Sequence, residues 1–133
     1  MKKYISILCL FAIMASCTSK SKELQTFDPA FVHTVYFWLK DPQNMQDRTA
    51  IEGSLKKFMQ NSKYAKTKFV GKPPKATRDI VDDSFTYALV LTFSSAEEQE
   101  KYQKEEAHLI FIEESQDLWE KVLVYDSSGE VIQ

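Results

Sequence analysis

The side chains best suited to proton transfer near neutral pH are the chain's two histidines, His33 and His108, because an unperturbed imidazole changes charge in that range. Such a ring can take a proton from a hydroxyl or a carbon acid. It can also do nothing of the kind: a ring with an apolar body and a polar tip often fills the edge of a core, hydrogen-bonded to backbone. Glu105 and His108 lie one helical turn apart, and with His33 they make a set of two imidazoles and one carboxylate, a combination able to bind zinc. No HExxH or comparable signature accompanies them, so no metal is expected. Glycine is scarce, with 3 in the chain, and a Gly-rich phosphate loop is absent.

Cysteine is the other reactive type. Lys2 and Lys3 form a short positive segment, and Tyr4 to Met14 is uncharged and mostly apolar. That run is far short of the roughly 20 residues of a spanning helix and fits a signal-peptide core of about 7–15 residues. Met14-Ala15-Ser16-Cys17 then resembles a lipobox, with Met where Leu is usual. The expectation is a lipoprotein signal peptide over residues 1–16, an acylated Cys17 and a polar tether over 17–30. An ordinary secretory signal with a chance cysteine is the alternative. Cys9 leaves with the signal and Cys17 carries lipid, so a disulfide or a cysteine zinc site is excluded from the mature domain. Thr18 after the cysteine, with no adjacent acidic cluster, favours the outer membrane and a periplasm-facing position in the cell envelope.

Loss of Lys2 and Lys3 leaves 15 basic against 19 acidic residues. The signs are interspersed, which argues against nucleic acid as a partner. The mildly basic stretch from Lys63 to Lys75 reads as a solvated strand edge.

About 110 residues after the tether suit one domain and one core. Phe31 to Lys40 alternates like a strand, with Phe31, His33, Val35, Phe37 and Leu39 on one face and Val32, Thr34, Tyr36 and Trp38 on the other. Asp41-Pro42 ends it and can open a helix running to about Asn61, with an apolar stripe of Ile51, Leu55, Phe58 and Met59. Strands are expected over 65–71, 85–94 and 119–126, a long loop over 72–84, and helices over 97–104 and 107–115. Ser95-Ala96-Glu97-Glu98 is a capping box for the first of these helices. Residues 127–133 are read as a frayed tail.

This order, β-α-β-β-α-β, is the ferredoxin-like α+β arrangement: a four-stranded antiparallel sheet with helices on one face. The uncovered face presents Val32, Tyr36 and Trp38, an apolar patch of the kind that marks an interface. A homodimer through sheet faces is expected.

The strand Val32 to Phe37, the segment Phe85 to Phe93, the Ala107-His108 pair with Phe111, and Trp119 to Asp126 are similar, in order and spacing, to the stress-responsive dimeric A/B barrel (Dabb) family. The resemblance spans residues 31–126 and implies a protomer that pairs sheets into a dimeric α/β barrel. It also implies site residues. A plant member of the family closes a linear polyketide by aldol condensation, and its catalytic pair falls on His108 and Tyr102. His33 matches a further pocket histidine. Tyr87 stands where that enzyme has a histidine, and Glu105-Glu106 replace a frequent His-Pro, which implies a more acidic pocket mouth.

By face, His33 and Tyr87 point to the helix side of the sheet, and Tyr102 and His108 lie on the covering helices. Convergence of these four polar tips in one apolar cavity is the expectation. The reading is a lipid-anchored envelope domain that binds a small apolar or aromatic ligand. The alternatives are a cyclase or isomerase with His108 as general base and Tyr102 as carbonyl partner, or a non-catalytic interaction module. Related dimeric barrels include heme degraders, but no residue here supports heme, and no cofactor is expected.

Overall fold

A computed structural model of the chain describes residues 26–28, 30–129 and 132. The proposed signal segment and Cys17 lie outside the described residues. The elements are β1 (Phe31–Leu39), α1 (Met45–Asn61), β2 (Thr67–Gly71), β3 (Tyr87–Phe93), α2 (Ala96–Gln103), α3 (Glu106–Ser115), a 3-10 turn (Gln116–Leu118) and β4 (Trp119–Ser128). The strands form one antiparallel sheet in the order β2-β3-β1-β4, the ferredoxin-like topology.

β1 carries the two-residue period most clearly: His33, Val35, Phe37 and Leu39 are buried and the residues between them are not. Central position explains the pattern, since β3 and β4 flank it over nearly its whole length. The chain then turns on Asp41, whose Oδ1 accepts from the backbone N–H groups of Gln43 and Asn44 at 3.1 and 3.2 Å. Asp41-Pro42 therefore makes a turn of its own, and α1 opens three residues later on Asn44. The Asn44 side-chain Oδ1 accepts from the N–H groups of Gln46 and Asp47 at 2.9 and 3.3 Å, satisfying two of the orphan N–H groups of the first turn.

At the other end of α1, Lys68 Nζ reaches back from β2 to donate to the carbonyls of Met59 and Ser62 at 2.9 and 2.6 Å. A cation on the last carbonyls of a helix satisfies them and complements the dipole. Ile51, Leu55 and Phe58 are buried toward the sheet and Met59 is half-buried.

α2 starts as the capping motif implied, with Ser95 Oγ accepting from Glu98 N–H at 3.2 Å. β4 runs two residues further than the sequence pattern suggested, because Ser127 and Ser128 pair with Val32 and Phe31. Polar side chains there conceal a strand whose backbone still finds partners. β2 and β3 are shorter than expected at their outer ends; Phe85 lies beyond the ladder, packed against Tyr36 and Trp38. The core between sheet and helices is built from Phe37, Phe58, Phe93 and Phe111, with Leu89, Leu91, Ile51 and Tyr102. Burying an apolar side chain of this size contributes about 1.5–3 kcal/mol.

Candidate functional site

His33 lies directly opposite Asp126 in the β1–β4 register. Its ring is buried, and Nδ1 sits 2.5 Å from Asp126 Oδ1. A carboxylate oxygen accepts, so Nδ1 carries the hydrogen. In the neutral ring the lone pair is then on Nε2.

Tyr102, on the last turn of α2, is 2 % exposed. Its ring packs against Phe58, Phe93, His33 and His108 at centroid distances of 5.9, 5.0, 5.7 and 4.6 Å. Burial holds the phenol well above its usual range, and the negative charges of Glu105 and Asp126 push the same way. It is a neutral hydrogen-bond donor at any physiological pH. Among the described residues its hydroxyl has no partner.

His108, in the first turn of α3, places Nδ1 3.1 Å from the Gln103 carbonyl oxygen. A carbonyl only accepts, so Nδ1 is again the protonated nitrogen and Nε2 the basic one. Burial pulls this imidazole below its usual 6.5; the Gln103 contact opposes that, His33 adds to it, and Glu105 opposes it. His108 is accordingly neutral, and a base, at pH 7.

These three side chains and Gln103 line a cavity of about 150 Å³. Its walls are Val35, Phe37 and Leu89 from the sheet, Phe111 from α3, and Trp119. It opens along β4, where the lining residues Val122 and Val124 are 37 % and 46 % exposed.

Tyr87 does not join this group. It faces the helices, as its alternation implied, but it pairs with Phe37 while His33 pairs with Leu91, so it stands at the other end of the sheet. There its hydroxyl donates to Glu52 Oε1 at 2.6 Å, and Lys72 Nζ holds the same oxygen at 2.8 Å. Burial and the Glu52 carboxylate push the Tyr87 phenol up to about 12. Glu52 is held below the usual carboxylate range, by Lys72 first and Tyr87 second. Strand register, which a face pattern does not supply, separates Tyr87 from the cavity.

The expectation of an acidic mouth is also corrected. Glu105 has extended backbone before α3, and its Oε2 accepts from the Lys63 N–H at 2.9 Å. It borders a separate groove on the α1 side, as does Glu106. The acid bonded to a cavity residue is Asp126, through His33. Among the described residues no group of three or more potential ligands could hold a metal ion, and the Glu105-His108-His33 set is not assembled. Asp126 and the Gln103 carbonyl were the missed partners. The alternation Val122, Val124, Asp126 carried a signal for the first, since it ends an inward apolar face on a carboxylate.

With fold and cavity in place, comparison with known proteins gives the family. Residues 31–128 match the stress responsive A/B barrel domain (Dabb), and the chain belongs to that family. No curated protein matches the sequence significantly. Among solved structures, a hydroxynitrile lyase from Passiflora edulis is 20 % identical, with a TM-score of 0.66 over 80 % of this chain and 99 % of the other. A dimeric protein of unknown function with a ferredoxin-like fold from Bacteroides fragilis is 16 % identical, TM-score 0.61, over 78 % and 100 %. A Dabb family protein from Mesorhizobium loti is 17 % identical, TM-score 0.61, over 75 % and 96 %. At these identities the likeness establishes the fold.

The lowered His108 ionisation predicts an acid-sensitive fold. Between the folded value and 6.5 the unfolded chain binds the proton and the folded chain does not, so stability falls as pH drops through that window. Urea unfolding from pH 7.5 to 5 will show the wild type losing more stability than His108→Phe. Equal losses would place the neutral, buried imidazole in doubt.

Proposed function

We propose that this chain is a lipid-anchored envelope protein whose domain binds a small, mainly apolar molecule bearing a carbonyl or hydroxyl group. The observation that carries this reading is the meeting of His33, Tyr102 and His108 around one cavity of about 150 Å³ with apolar walls. Few polar groups on an apolar wall is the usual composition of a small-molecule site. An apolar cavity of about this size accommodates a ligand as large as benzene, so the ligand is of single-ring dimensions. Tyr102 supplies a donor, and the two Nε2 atoms supply acceptors.

A panel of single-ring and short acyl carbonyl compounds will raise the melting temperature of the protein, and His33→Phe or Tyr102→Phe will remove the effect. No stabilisation anywhere in a broad panel would defeat the reading.

Catalysis at the same site is a second reading, and the orientation of His108 favours it. With Nδ1–H held by the Gln103 carbonyl, Nε2 is a neutral base that can take a proton from a carbon acid or a hydroxyl. Tyr102 donates to the carbonyl oxygen on which charge develops. This is the step needed for an aldol-type cyclisation or isomerisation. Loss of a hydroxyl proton with departure of a carbon leaving group, the chemistry of a hydroxynitrile lyase such as the Passiflora edulis neighbour, asks for the same base. Turnover, once a substrate is found, will fall about 10²–10⁴-fold in His108→Ala; turnover indifferent to that change would remove His108 from the role.

The anchor and the dimer belong to the proposal. Lipidation at Cys17 rests on the signal-like N-terminus and would hold the domain at the outer membrane, facing the periplasm. Pairing through Val32, Tyr36 and Trp38 is supported by the half-buried aromatic face these residues form and by neighbours described as dimeric. On that face the Phe69 ring lies over Gly71, where an added Cβ would come within 2.7 Å of it. The domain expressed from Thr18, without the anchor, will scatter light as a dimer, and Gly71→Ala will displace Phe69 and weaken the association. A monomeric wild-type mass would refute the pairing, and a Cys17→Ala chain still sedimenting with membranes would refute the anchor.

A further inference from the structure

Two voids flank α3. One is the cavity of about 150 Å³; the other is a groove of about 710 Å³ between α1 and the α2–α3 segment. The groove is within the range of roughly 300–1,000 Å³ typical of ligand pockets, yet His33, Tyr102 and His108 are not among its lining residues. Phe111 is the one residue that borders both voids.

We propose that Phe111 is the specificity-determining wall of the site: its ring divides a larger potential pocket and limits the ligand to one ring. This inference rests on the reading of the cavity as a ligand site. The ring is 2 % exposed and braced on three sides. It stacks on Phe58 with centroids 5.3 Å apart and planes at 26°, meets Phe37 edge-on at 5.9 Å, and lies 5.8 Å from Trp119. These three ring contacts fix the position in which Phe111 separates the two voids.

Away from the opening along β4, the sheet walls offer no second route. Val35, Phe37 and Leu89 are sheet residues belonging to the core cluster. Behind the partition, Phe58 touches the rings of Tyr102 and His108 at 5.9 and 6.1 Å, which makes it a support for the polar groups. Phe58 does not border the cavity. Phe111 has no ring contact with Tyr102 or His108 among the described residues. Its removal therefore opens the partition while Phe58 and Phe93 still hold the site.

The test is calorimetric binding of acetophenone, with one ring, and 2-acetonaphthone, with two fused rings, to the full-length protein in detergent. Wild type will bind the first and discriminate against the second by at least about tenfold, the smallest step a hydrophobic pocket gives for a methylene. Phe111→Ala will bind 2-acetonaphthone at least about tenfold more tightly than wild type does. Phe111→Leu, which keeps most of the core packing, will move in the same direction and covers the case in which the alanine variant does not fold. Wild type that binds neither ketone would defeat the ligand-site reading and this inference with it. Wild type that binds acetophenone, with discrimination unchanged in both variants, would overturn the role of Phe111 alone.

Discussion

The arrangement turns on two hydrogen bonds that decide which nitrogen of each imidazole holds its proton. Asp126 accepts from His33 Nδ1 and the Gln103 carbonyl accepts from His108 Nδ1. An imidazole free in water exchanges between tautomers; one held by a fixed acceptor does not. The first bond is a product of sheet register, since His33 and Asp126 are cross-strand partners. The second is a product of a broken helix. Lys104 N–H turns back to Lys101 and Glu105 N–H to Tyr102, ending α2 at Gln103, and α3 begins at Glu106. In a continuous helix the Gln103 carbonyl would be taken by the N–H four residues on. The break releases it, and His108 takes it.

Placing imidazoles and a phenol in an apolar interior is costly unless each polar group has a partner. Here a partner satisfies one nitrogen of each imidazole, and the phenol has none among the described residues. Tyr102, wedged between aromatic neighbours, stays protonated, and His108, desolvated, stays neutral. A donor and a base can thus coexist side by side without transferring a proton to each other, the division of labour an acid–base site requires. The larger groove beyond Phe111 lacks that chemistry, although its volume is greater.

Much of this was legible in the residues. The alternation of β1 and β3 and the apolar stripe of α1 gave the topology, because central strands and a helix packed on them repeat their burial with fixed periods. Ends were less legible. Asp41-Pro42 reads as a helix start, but the Asp41 carboxylate is spent on its own turn and Asn44 is the cap. Ser127 and Ser128 look like tail and are strand, since pairing is a backbone property. For the site, His33, Tyr102 and His108 meet as the resemblance implied. Tyr87 lies on the face its alternation implies but at the other end of the sheet, and Glu105 borders the other void. Both depend on tertiary distances along the sheet that neither face periodicity nor local spacing encodes. Asp126 needed knowledge that β4 lies beside β1.

The direct test of the central claim is a long-range ¹H–¹⁵N spectrum of the histidine rings at pH 8, where an ordinary imidazole is neutral. Both rings are predicted to show a protonated Nδ1 and a bare, pyridine-like Nε2, with the His33 pattern lost in Asp126→Ala. A proton on Nε2 of either ring in the wild type would contradict the account.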